Sequence, residues 1–260
     1  MKHQALALDR FDEAKNCFLK AVRLAPKNTA GWLGLRHIAL LKGDIPTYLR
    51  STCAILPHLD ASVIAKTVEV LLDLHHRHEA LEVITSADGC SKTGEDLDAQ
   101  RLVVYRLENI HEAKQIVLYK RLRSLPTLSD GSLRALGKFE IENKDFASAL
   151  GHLKKIRDQD AGSEYLIIKS LLALGDTKET AGRIARAIEE WPTHGAFRFL
   201  SARLAIGEGD REAARARLIE ALDFGFYVMD EMKEDPELSH LFTTLAAKRP
   251  EGEARKEDAT

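Results

Sequence analysis

The sequence predicts an all-α fold, a solenoid of about six or seven helix-turn-helix repeats closed by a C-terminal capping helix. Three observations carry that prediction. A series of small and apolar residues returns about every 33 residues. A turn signal precedes most copies of the series, and no stretch sustains the period-two alternation of a half-buried strand.

The plainest copy runs from Arg10 to Gly43, where Ala14, Phe18, Ala21 and Pro26 are followed by Trp32, Leu35 and Gly43. The small residue of each second helix, where two helices cross closely, serves as an anchor. The anchors are Ala14, Tyr48, Ala80, Ala113, Ala149, Thr180 and Ala214. Four residues beyond them stand Phe18, Thr52, Ile84, Val117, Leu153, Ile184 and Leu218. Three further on come Ala21, Ile55, Ala87, Lys120, Ile156, Ala187 and Ala221. Residues spaced i, i+4, i+7 lie on one helical face, so each series predicts one buried stripe. The second and fourth copies are eroded.

Gly43-Asp44, Gly175-Asp176 and Gly209-Asp210, with Lys144-Asp145 in the fifth copy, mark the turn inside a hairpin. Glycine ends one helix in the left-handed region and aspartate caps the next. Pro26, Pro57, Pro126 and Pro192 fall after second helices, where a helix must stop. The repeat array is expected over residues 1–228, with a short first helix before a turn at Asp9-Arg10. That start fits either a truncated first hairpin or a fragment of a longer protein. Residues 229–248, with Pro236, Leu238, Leu241, Phe242 and Leu245, read as a capping segment covering the exposed apolar end. Residues 249–260 are charged, lack any large apolar residue, and are expected to be disordered.

Trp32-x-x-Leu35, the Gly43 turn, the Ala14/Phe18/Ala21/Pro26 series, Leu133-x-x-Leu136-Gly137 with Ala149, and Gly209 with Ala214/Leu218/Ala221 together resemble the tetratricopeptide repeat family. The resemblance implies a right-handed superhelix whose first helices line a concave, peptide-holding groove. Two departures stand out. Arg36 occupies a place where the family usually has glycine, and Tyr48 one where it has a small residue. The hairpin near 45–57 is therefore expected to pack unusually or to mark a bend.

If the groove lies where the resemblance implies, it presents His37, Glu69, Leu102, Lys138, Lys169 and Arg203, and one turn earlier Leu33, Ala65, Asp98, Arg134, Tyr165 and Phe199. The last three pairs predict a partner-binding face with Arg134, Lys138, Lys169 and Arg203 for carboxylates and Tyr165 and Phe199 for apolar side chains. The same residues could instead be solvated helix faces paired with neighbours such as Glu142. The family's two-carboxylate clamp needs asparagines that do not accompany Arg134 and Lys138, the nearest being Asn143 at the helix end. A chaperone-tail receptor is not expected.

Composition narrows the classes further. A net charge of −2 gives no chain-wide field for nucleic acid or anionic lipid, and no apolar run is long enough to span a membrane. Cys17, Cys53 and Cys90 are odd in number and widely spaced, which fits reduced thiols in the cytoplasm. Cys53 has no His-Asn or His-Asp context for a nucleophile. His75-His76-Arg77-His78 could be imagined on a metal, but it lies at an inter-helix turn and reads as solvated. No P-loop, GxGxxG, GxSxG or HExxH motif occurs. The expectation is a non-enzymatic protein-interaction scaffold with no cofactor and no metal, whose partner is a protein or peptide, acidic in the C-terminal half. The alternatives are a regulatory or substrate-recruiting part of a larger enzyme and, less favoured, a pentatricopeptide-like RNA binder.

Overall fold

The computed structural model describes residues 2–226 and 239–240, with side chains from Arg10 onward. Among the described residues there are thirteen α-helices and no strand. The chain divides into two compact units, residues 1–142 and 143–260, and the described residues of each form an all-α stack of helical hairpins.

Unit 1 holds α1 (Lys2–Leu24), α2 (Thr29–Leu41), α3 (Ile45–Ile55), a 3-10 turn (Leu56–His58), α4 (Ala61–Asp73), α5 (Arg77–Gly89), α6 (Glu95–Leu107), α7 (Glu112–Ser124) and α8 (Asp130–Glu142). Unit 2 holds α9 (Phe146–Leu153), α10 (Ala161–Leu174), α11 (Thr177–Glu190), α12 (Gly195–Gly207) and α13 (Arg211–Asp223). The expected turn at Asp9-Arg10 is absent, because α1 runs unbroken through it. The expected tail 249–260 lies outside the described residues, as does the capping segment 229–248 apart from residues 239–240.

Turn chemistry explains the hairpins. Gly43, Gly175 and Gly209 adopt φ of 66, 78 and 81°, and Asp44, Asp176 and Asp210 then accept hydrogen bonds from the amides of Thr47, Glu179 and Ala213. His75 and Lys144 take the glycine's left-handed place in two other turns. The amides of Tyr48, Ala80, Ala149, Thr180 and Ala214 each bond back to the residue that caps their helix, and all five side chains are buried.

The fourth copy corrects the sequence reading. Gln115, not Ala113, bonds back to the cap residue His111 and is buried, while Ala113 and Val117 are exposed. One of the two positions comes from the turn, which has four residues (108–111) between α6 and α7 where turns 42–44, 74–76 and 208–210 have three. Gln115 Nε2 donates to the carbonyl oxygens of Tyr105 (3.1 Å) and Ile110 (2.7 Å), closing the longer turn.

The cores are apolar. Tyr48, Ile55, Ile64, Val68, Leu71 and Ile84 pack in unit 1, where Leu102, Leu122 and Leu136 form a second cluster. Ile168, Ile184, Phe197, Phe199 and Leu218 pack in unit 2.

Candidate functional site

The first helices of successive hairpins pack side by side, α4 on α6 and α6 on α8 in unit 1, and α10 on α12 in unit 2. In unit 1 they enclose a recess of about 290 Å³ lined by Ser62, Lys66, Glu69, Gln100, Ser129 and Arg134, among others. From α6 the recess takes Asp96 and Gln100. The sequence pointed instead to Asp98 and Leu102, which are buried at 3% and 0% exposure.

The cations expected there are already engaged. Arg134 Nη1 lies 2.8 Å from Glu69 Oε1, and Lys66 Nζ lies 2.7 Å from Glu69 Oε2. Burial alone would raise the Glu69 carboxyl; hydrogen bonding and charge from Lys66 and Arg134 outweigh it and hold the group below its usual range. Lys138 Nζ pairs with Asp73 Oδ1 at 2.8 Å. Both pairs join α8 to α4 across α6. The recess of unit 1 is thus a mixed, internally neutralised surface and not the basic one expected of Arg134 and Lys138.

In unit 2, Tyr165 is half-buried and packs on the core. Phe199 is fully buried, with its ring 4.9 Å from that of Phe226, so it is a core residue and offers no surface to a partner. Sequence could not separate the two, because both occupy the same place in their repeats. Lys169 on α10 and Arg203 on α12 are half-buried at equivalent places, seven residues before Asp176 and Asp210. Arg203 Nη1 is shielded from solvent and has no hydrogen-bond partner among the described residues.

The His75–His78 segment spans the end of the turn before α5 and the first two residues of that helix. His76 Nδ1 lies 3.3 Å from Glu79 and His78 Nδ1 lies 3.3 Å from Glu108, pairs that hold two neighbouring turns rather than a common centre. No group of three metal-ligating side chains occurs among the described residues.

A tetratricopeptide repeat family model matches residues 5–28. Among solved structures, a tetratricopeptide repeat protein from Parabacteroides merdae aligns with a TM-score of 0.64 at 13% identity, over 92% of this chain and 95% of that one. A chain of the APC/C hetero-tetramer Cut9-Hcn1 aligns with a TM-score of 0.62 at 12% identity, over 90% of this chain and 45% of that one. Yeast Tom70 gives 0.52 at 12% identity, over 97% and 63%. No curated protein sequence matches. The family match is confined to residues 5–28, and the architecture shared with the solved structures is an all-α helical-repeat solenoid. At these identities the likeness to the solved structures is one of fold.

Proposed function

We propose that this protein is a non-catalytic interaction scaffold that holds a peptide segment or partner protein on the face formed by its first helices, and that the segment held by unit 2 is acidic. The observation that carries the acidic reading is Arg203 of α12, whose Nη1 is buried without an acceptor among the described residues. A shielded guanidinium N–H left unpaired is costly, and a carboxylate supplied by a ligand satisfies it in a strong, charge-assisted bond. Lys169 stands at the equivalent place on the neighbouring helix α10, and Tyr165 one turn before it adds a half-exposed ring. We also assign the protein to the cytoplasm, a reading supported by three free thiols at Cys17, Cys53 and Cys90.

The test is an array of acidic, neutral and basic peptides probed with the wild type and with Lys169→Glu/Arg203→Glu. Acidic peptides should be retained by the wild type and lost by the variant, with thermal unfolding unchanged. Equal retention by both proteins would remove unit 2 from the binding face.

A further inference from the structure

A second cavity, of about 690 Å³, lies on the other side of unit 1, between the end of α5, the middle of α6 and the outer face of α7. Its floor is polar but self-satisfied. Arg101 donates from Nε to Asp88 Oδ1 (2.8 Å) and from Nη1 to Asp98 Oδ1 (2.7 Å), and the Tyr105 hydroxyl donates to Asp88 Oδ2 at 3.0 Å. Burial and the Asp88 carboxylate push the Tyr105 hydroxyl up to about 12, so it stays a neutral donor.

The rim differs from the floor. Lys92 and Lys114 both line the cavity, and neither forms an ion pair with a carboxylate among the described residues. Lys92 Nζ donates only to the carbonyl oxygen of Pro57 at 2.9 Å, and Lys114 Nζ stands 5.9 Å from the centre of the Tyr105 ring. The wall is apolar, because the displaced register of α7 leaves Val117 65% exposed against the cavity beside Leu118. A single exposed valine is ordinary. One that walls a cavity of ligand size beneath two uncompensated ammonium groups is a recognition surface.

We propose that this cavity docks a short segment of a partner protein in which a large apolar side chain is flanked by carboxylates. The apolar side chain lies against Val117 and the Tyr105 ring, and the carboxylates meet Lys92 and Lys114. The charges are complementary, since the two carboxylates of the floor are already matched by two guanidinium groups, Arg101 on both and Arg121 on Asp98 at 2.8 Å. A wall as open as Val117 covers one side of an occupant only, whereas small-molecule sites enclose most of theirs. That geometry fits a segment whose other side belongs to a folded partner. The site goes beyond the first-helix face proposed above and uses none of its residues.

The experiment titrates the full chain into short fluorescent peptides carrying Leu or Phe flanked by Glu, and into the same peptides with Gln, reading anisotropy. Glu peptides should bind about tenfold tighter than Gln peptides, with an affinity that weakens as salt rises. Lys114→Glu should abolish the preference, and Val117→Asp should weaken binding of both sets. Both side chains are exposed, and circular dichroism would show the fold retained. Equal affinity for Glu and Gln peptides, no binding of either, or binding indifferent to Lys114→Glu overturns the proposal. So does binding of octanoate that depends on Lys114 when no peptide binds, which would make the occupant a small amphipathic acid. Lys169→Glu/Arg203→Glu should leave the peptide affinity intact. Loss in that variant would put the peptide on unit 2, sinking this site while sparing the function proposed for the other face.

Discussion

Arg36 donates from Nη2 to the Tyr48 hydroxyl at 3.1 Å, with its guanidinium carbon 5.0 Å from the centre of the same ring. These two residues are the pair that departs from the repeat pattern, and each accounts for the other. Tyr48 is 1% exposed, so its hydroxyl needs a partner, and Arg36 supplies one. The same guanidinium donates to Thr52 Oγ1 (3.2 Å) and Thr67 Oγ1 (2.8 Å), linking α2 to α3 and α4. Arg36→Ala and Tyr48→Phe should each cost about 1–2 kcal/mol, with a coupling of about 0.5–1.5 kcal/mol in a double-mutant cycle. Urea unfolding of the four proteins measures it, and strictly additive losses would mean the two do not interact.

The register of α7 can be checked by two substitutions. Gln115→Leu removes the side-chain donor to the Ile110 carbonyl and leaves the Tyr105 carbonyl with the Ile110 amide alone, and should cost about 1–3 kcal/mol. Ala113→Ser, on the exposed side, should stay within about 0.5 kcal/mol of wild type. The opposite order in thermal melts would restore Ala113 as the buried anchor.

The two ion pairs between α4 and α8 should differ in weight. Arg134 and Glu69 have side chains 16% and 7% exposed, so Arg134→Ala leaves a buried carboxylate to Lys66 alone and should cost about 1–3 kcal/mol. Asp73, in the other pair, is 57% exposed, and Lys138→Ala should cost no more than about 1 kcal/mol. Chemical denaturation of both variants decides it. A binding defect caused by changing Arg134 must therefore be separated from lost stability, which is why the function test changes unit 2.

Asp44 predicts an acid-sensitive link. Its hydrogen bond from Lys15, with help from Thr47, lowers the carboxyl from 3.8 to about 2. A carboxyl depressed on folding stabilises the protein above its unfolded value and loses that contribution as pH falls through the folded one. Wild-type stability should therefore decline between pH 3.8 and about 2 partly through this group. Asp44→Asn keeps the capping oxygen but cannot titrate, so it should flatten that decline. A melting series over this pH range with identical slopes for both proteins would exclude the link.

Local chemistry was legible wherever the signal is local. Gly-Asp turns, capping aspartates and small anchors at Ala80, Ala149 and Ala214 specify hairpins through backbone sterics and short-range hydrogen bonds, so periodicity alone located those helices. The fourth hairpin was misread because its anchor falls two residues later than expected, one of them from the longer turn, and a helical stripe two residues away looks much alike in sequence.

The functional face was legible only in part. Sequence placed Arg134, Lys138, Lys169 and Arg203 on first helices, but a lysine or arginine carries no sign of whether a carboxylate waits opposite. Glu69 and Asp73 stand 65 residues from the cations they bind, and only the packing of α4, α6 and α8 brings them together. Likewise Tyr165 and Phe199 hold the same repeat position, yet packing leaves one at the surface and draws the other into the core. The sequence by itself determined the repeat, its helices and its turns, because those depend on neighbours along the chain. Which charges remain uncompensated, and which apolar side chains still face solvent, was decided by tertiary structure, because both depend on residues one or two repeats away.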